Sequence, residues 1–191
     1  MRCRPTRRLF CLGLVGLAAA VRPALAGPYL DYANGLAARP PKGSRYRPDL
    51  EAELVGLLNA YRGQKGKAPI AADPAFQDAA RAHAADMMLN DFMGHSSSTG
   101  VSFQGRMAAF VGDVTKYPSI GENAARDTQD TPVDESKARA LFAQWVKSAP
   151  HRKNMVSRSF AFVSTGVIQR GDKIWAVQIF FAAPREKGLF Q

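Results

Sequence analysis

Past Ser159 the apolar residues of this chain change their period, and that change restricts its class more than any other feature. Phe160 to Gln169 and Lys173 to Ala182 are rich in β-branched and aromatic residues and read as two strands. Arg170-Gly171-Asp172 between them reads as a tight hairpin turn. Two strands do not make a stable sheet, so a third is required, and the segment near Tyr117 to Asn123 is the candidate. Upstream the spacing is helical. Helices first and a hairpin last predict an α+β fold in which helices cover a small antiparallel sheet.

Three helices carry clear signals. Leu50, Leu54, Leu57, Leu58 and Tyr61 recur at helical spacing, and Gly63 to Gly66 end that run. The second opens with Asp73 as N-cap and Pro74 in the first turn, where its missing N–H costs nothing. Phe76, Ala80, His83, Ala84 and Met87 then line one face down to about Asn90. The third starts at Thr131-Pro132-Val133-Asp134, with Thr131 as cap and an acidic residue three positions later. Ala138, Leu141, Phe142, Trp145 and Val146 form its buried stripe. A short helix is expected around Phe103 to Phe110.

Residues 1–26 read as a secretory signal peptide. Arg2, Arg4, Arg7 and Arg8 form a basic start, Leu9 to Val21 an apolar core, and Ala24-Leu25-Ala26 a small-x-small cleavage site. The apolar run is shorter than a membrane span requires, so no transmembrane anchor is expected after cleavage. Thr6-Arg7-Arg8-Leu9-Phe10 also resembles a twin-arginine signal, which leaves that route open beside the general one. Either route places the mature protein outside the cytoplasm, secreted or periplasmic. Residues 27–48 look like an arm or linker, 49–184 like a single domain and 185–191 like a tail.

Both cysteines, Cys3 and Cys11, lie in the removable segment, so a disulfide framework, a cysteine nucleophile and a thiolate metal site are excluded from the mature chain. The leader also removes five of the 26 basic residues and none of the 16 acidic ones, which lowers the formal charge from +10 to about +5. That surplus lacks the dense basic and aromatic runs of a nucleic-acid footprint, and no nucleic-acid partner is expected.

Chemistry concentrates in three polar islands, Gly94-His95-Ser96, Gly121-Glu122-Asn123 and Trp145-x-x-Ser148-x-x-His151. Two imidazoles and a carboxylate gathered in one cleft can hold a divalent metal or move protons. Ser148 and His151, three apart, also invite a serine-hydrolase reading with Glu122 orienting the ring, although no Gly-x-Ser-x-Gly elbow is present. A polar clamp that pins loops to the sheet is the alternative, with Asn123 and Asn154 as hydrogen-bonding locks. Trp145 and His83 sit on apolar faces and read as core. Ser96 to Gly100 reads as a flexible rim.

From about Leu54 to Phe181 the chain resembles the CAP superfamily, the cysteine-rich secretory, antigen 5 and pathogenesis-related 1 proteins, in its cysteine-free bacterial branch. The resemblance rests on Leu58-Asn59-Ala60-Tyr61-Arg62, on Ala80 to Met87, and on Met93-Gly94-His95-Ser96. Ile120-Gly121-Glu122-Asn123, Trp145 to Asn154, Gly166-Val167 and Trp175 to Phe180 complete it, in family order. It implies an α-β-α sandwich whose cleft holds two histidines and two glutamates, in some members around zinc or another divalent ion. Carried over by position, these are His95, Glu122 and His151, with Ser148 where the second glutamate normally stands. The implied metal ligands are thus His95, Glu122 and His151, and no cofactor is strictly required. The leading expectation is a monomeric, exported binding module with a cleft for a small apolar, lipid-like or peptidic ligand or an envelope component. A zinc-assisted hydrolase and a purely structural envelope protein are the alternatives.

Overall fold

Strands β4 (Phe162–Arg170) and β5 (Lys173–Phe181) form the centre of the sheet, joined by a two-residue turn in which Gly171 adopts φ +59°. That left-handed conformation suits glycine and the twist of a hairpin. The structure, a computed structural model, describes residues 26–185. The expected leader and its export signal therefore lie outside the described residues, except for Ala26, as does the tail beyond Arg185.

Strand β3 (Ile120–Asp127) pairs antiparallel with β5 from Ile120↔Phe181 to Asp127↔Ile174. It is longer than the strand expected near Tyr117 to Asn123 and starts later. On the other side β4 carries two short strands along one edge. β1 (Ser44–Tyr46) runs antiparallel to its C-terminal end, and β2 (Ala71–Ala72) runs parallel to its start. The order is β1-β4-β5-β3.

Helices cover both faces, and side-chain alternation along β5 shows why. Trp175, Val177, Ile179 and Phe181 join one apolar cluster, whereas Ile174, Ala176 and Phe180 join the other. A strand buried on both faces reads as a near-continuous apolar run, as this one does. On the first face lie α1 (Ala26–Ala38), α3 (Gln77–Leu89) and α4 (Phe103–Val111). On the second lie α2 (Pro48–Gln64), α5 (Glu135–Lys147) and α6 (Ala149–Val156). The α-β-α sandwich expected from the resemblance is the fold. No helix among the described residues is long and apolar enough to cross a membrane.

α3 meets β4 at close range. A Cβ at Gly166 would lie 2.4 Å from Arg81 N and 2.5 Å from the Ala80 carbonyl carbon, so only glycine lets the helix backbone sit there. Asp73 caps the 3₁₀ turn Pro74–Phe76 before α3, accepting from Ala75 N as expected.

Two local expectations are corrected. Residues 27–48, expected as an arm or linker, are packed into the fold: Tyr29, Ala33 and Leu36 of α1 belong to the core, and Tyr46 of β1 donates from its hydroxyl to Leu36 O. Glycine and proline around this stretch hide a helical spacing of buried positions. The cap of α5 is Asp134, not Thr131; its carboxylate accepts from Ser136 N and Lys137 N. After α5 a separate short helix follows at once. Pro150 opens the separate helix α6 in its first turn, which tolerates a residue without an N–H.

Candidate functional site

Glu122 is the third residue of β3 and is buried, and what surrounds it defines the site. A buried carboxylate must be paired, and this one is paired twice. Oε2 accepts from Arg106 Nη2 at 2.5 Å, and Oε1 accepts from His95 Nδ1 at 2.8 Å. The Arg106 side chain comes from α4, is fully buried, and also donates from Nε to His95 O at 3.0 Å. One guanidinium thus holds both the carboxylate and the backbone of the histidine that the carboxylate orients.

Burial pushes the Glu122 carboxyl up, but the Arg106 charge, the His95 hydrogen bond and the other neighbouring donors outweigh it and hold the group below the ordinary carboxylate range. The bond to Glu122 raises His95 above the usual histidine value, against partial burial. With Nδ1 engaged, Nε2 is the ring atom left for a ligand, and more than half of the His95 side chain is exposed.

The loop that carries His95 is fastened from below. Asp86 of α3 accepts from Ser98 N at 2.9 Å, from the Ser98 hydroxyl at 2.5 Å, and from Tyr32 of α1 at 2.9 Å. Val101 N donates to Ser97 Oγ, and Ser97 and Thr99 share a hydroxyl–hydroxyl bond. The expected flexible rim at Ser96 to Gly100 is a hydrogen-bonded loop.

His83 is the core histidine it was expected to be. It is fully buried, and Nε2–H donates to Gly94 O at 2.8 Å, while Nδ1 has no partner among the described atoms. Burial first, and the Arg106 charge second, lower its pKa to about 4, so it is neutral at physiological pH. It lies 3.9 Å from Glu122 Oε1 but spends its N–H on the loop.

His151 sits in the first turn of α6. Its carbonyl accepts from Asn123 Nδ2 at 3.3 Å, and its ring Nδ1 is buried without a partner among the described residues. Burial and then the nearby His95 charge lower its pKa. Asn154, one turn along, donates to Glu122 O at 3.1 Å and to Asn123 Oδ1 at 2.9 Å, so both asparagines lock α6 to β3. Ser148 is the hinge between α5 and α6, where its backbone N–H closes α5 and its carbonyl accepts from Arg152 N.

The cleft beside Glu122 has a volume of about 320 Å³ and is lined by His95, Phe103, Gln104, Ile120, Gly121 and Glu122. His95 and Glu122 therefore meet at one wall, whereas Ser148 and His151 are not among the lining residues. A larger concavity of about 420 Å³ lies at the hairpin tip, around Asp130 to Val133, Gln169 and Asp172, and contains no histidine. The cleft with the carboxylate-held imidazole is the one with chemistry in it.

The implied metal ion does not fit this arrangement. Both Glu122 oxygens are committed, one of them to a guanidinium, and among the described residues no group of three or more His, Cys, Asp or Glu is placed to hold a cation. Nor does Glu122 orient His151 for Ser148; the imidazole it holds is His95. Arg106 was missed from sequence. Its signal was a lone charge in the otherwise apolar, uncharged helix Phe103–Val111, but nothing local says which carboxylate it meets.

Comparison with known proteins agrees with the fold. The family model described as the cysteine-rich secretory protein family, CAP, matches residues 55–180. YkwD of Bacillus subtilis (strain 168), itself described as uncharacterized, is 33% identical over 128 residues, covering 67% of this chain and 46% of that protein. An extracellular protein of Bacillus anthracis str. Ames containing an SCP domain superposes with a TM-score of 0.59 at 24% identity, over 71% of this chain and 41% of that one. An outer surface protein of Borrelia burgdorferi superposes with a TM-score of 0.60 at 11% identity, over 73% and 98% respectively. The chain thus spans less than half the length of YkwD and of the anthracis protein. The two superpositions speak for the fold.

Proposed function

This chain belongs to the cysteine-rich secretory protein (CAP) family, in its bacterial type, and we propose that it works outside the cytoplasm as a binding module for a small amphipathic ligand. The observation that carries the reading is His95, oriented by Glu122 at one wall of a cleft whose other lining includes Phe103 and Ile120. Apolar walls beside a few placed polar groups, His95, Gln104 and the His95-bound Glu122, suit a ligand with an apolar body and a carboxylate head, such as a fatty acid or a peptide C-terminus. The raised His95 pKa favours the imidazolium, which donates from Nε2 to such a head. The leader read in the sequence, and the extracellular and outer-surface descriptions of the two structural relatives, support the location.

Zinc-assisted hydrolysis is left out of this reading because both Glu122 oxygens are already engaged, one by Arg106 and one by His95. Titration with octanoate, followed by thermal shift and by the imidazole signals in NMR, tests the proposal. Wild type is expected to gain stability by mass action, more strongly at pH 6 than at pH 8, with the His95 resonances moving. His95→Gln is expected to lose the response. No response in wild type, or an equal one in His95→Gln, would refute it.

A further inference from the structure

Surface charge is segregated by the fold in a way that chain order hides. No acidic residue lies between Glu53 and Asp73, nor between Glu135 and Asp172. The fold lays these two acid-free stretches side by side. Buried Arg62, near the end of α2, joins them: Nε donates to Ala68 O at 2.7 Å, and Nη1 donates to Met155 O at 2.7 Å and Ser157 O at 3.0 Å. Ala71 N continues the seam with a bond to Ala161 O, and β2 then runs beside the start of β4.

Along this seam Lys65, Lys153 and Arg158 are exposed and Lys67 is half-buried; exposed Lys147 and half-buried Arg152 adjoin them, with Arg152 Nη1 donating to Val146 O and Lys147 O. None of the six has an acidic partner among the described ion pairs. Other cations do meet carboxylates, Arg47 on Asp49, Arg81 on Glu51, Arg106 on Glu122, Arg126 on Asp91, Lys137 on Asp127 and Arg139 on Glu53 and Glu135, while Arg39, Lys42, Arg45, Lys116, Arg170, Lys173 and Arg185 also lack an acidic partner among the described ion pairs but lie outside this seam. A face that gathers uncancelled cations concentrates the potential of the whole molecule.

We propose that this face, formed by the loop after α2, helix α6 and the approach to β4, binds a linear anionic polymer of the cell envelope through repeated phosphate or carboxylate groups. A polymer is preferred to a bilayer because the face offers nothing to insert. Among the described residues the large apolar side chains that are exposed, Leu89 and Met93, belong to the end of α3 and the loop after it, and α3 packs on the opposite side of the sheet. Helix α6 links the face to the cleft: Asn154 reaches Glu122 O, and its neighbour Lys153 is one of the exposed cations. A chain held here lies next to the element that borders the cleft.

The test uses the mature protein and immobilised long-chain inorganic polyphosphate, with phosphatidylglycerol vesicles as the second arm. Wild type is expected to bind polyphosphate with an affinity that falls steeply as salt rises. Lys153→Glu/Arg158→Glu is expected to weaken binding about tenfold or more. Lys42→Glu/Lys173→Glu makes the same change in net charge at the hairpin end, about 25 Å along β4 at the usual rise per residue, and is expected to leave most of it. All four positions are exposed, so melting temperatures should stay close to wild type. Equal losses in the two doubles, no polyphosphate binding at low salt, or tighter binding to the vesicles would overturn the proposal. The octanoate response is expected to persist in Lys153→Glu/Arg158→Glu, so this face and the cleft fail or stand separately.

Discussion

Arg106→Met removes the cation that compensates Glu122 without opening a large hole, because methionine fills most of the volume of the arginine stem. The Arg106 side chain is 0% exposed and the Glu122 side chain 1% exposed, so the substitution leaves a carboxylate in the interior with His95 as its remaining side-chain hydrogen-bond partner and the neutral His83 nearby. Breaking a buried pair from one side typically costs about 3–5 kcal/mol. For a protein of this length that corresponds to a fall in Tm of about 6–20 °C. Trp145 and Trp175 are both buried, so urea unfolding can be followed by their fluorescence. The pH dependence gives a second signature. In wild type Glu122 titrates below its ordinary value, so its contribution to stability is present above the unfolded carboxylate pKa and is lost as pH falls through the depressed one. Without Arg106 the burial contribution is less opposed and the pKa rises; if it passes the unfolded value, acidification relieves the defect. Arg106→Met/Glu122→Leu removes both charges and is expected to recover more than half of the lost stability, since buried pairs are often replaceable by apolar side chains. A loss below about 1 kcal/mol in the single variant, or a double variant as unstable as the sum of the singles, would refute the view that the charge of Glu122 is held by Arg106.

Other expectations are more local. His83 titrates near pH 4 when folded and near 6.5 when unfolded, so the unfolded chain binds the extra proton and this residue withdraws stability as pH falls between those values, by about 3 kcal/mol in all; a His83 imidazole seen by NMR to titrate near 6.5 would contradict this. Gly166→Ala forces a methyl into the backbone of α3 and is expected to cost about 1–3 kcal/mol in urea unfolding, whereas a neutral result would mean that the helix can slide away from β4. Zinc at neutral pH is expected to leave the Tm of wild type unchanged, because Glu122 is committed to Arg106 and His95; a stabilisation abolished by His95→Ala would show that a cation displaces that pairing.

Much of the architecture was legible in the chain because its signals are local. Asp73-Pro74 starts a helix, Gly171 turns a hairpin, and the alternating apolar residues of β5 fill both faces, each through interactions with near neighbours in sequence. His95 and Glu122 were candidates because their polar islands and the family resemblance singled them out. The misreadings arose where a local signal was ambiguous or weak. Thr131 looked like a cap, but Asp134 makes the capping bonds, and α1 carries its core residues on a stretch that glycine and proline make irregular.

Partnership was the part that local pattern could not supply. Glu122 meets Arg106 across 16 residues and His95 across 27, and Arg62 reaches the carbonyl of Met155 across 93. A charged side chain carries no local mark of which group will neutralise it, since the choice depends on which elements pack together and on the cost of leaving either group unpaired once water is excluded. Residue types and spacing were enough for helices covering an antiparallel sheet, and the resemblance implied the sandwich and its polar cleft. Packing brought Arg106 to the buried carboxylate behind that cleft, because only the assembled interior sets which charges are near enough, and dry enough, to require each other.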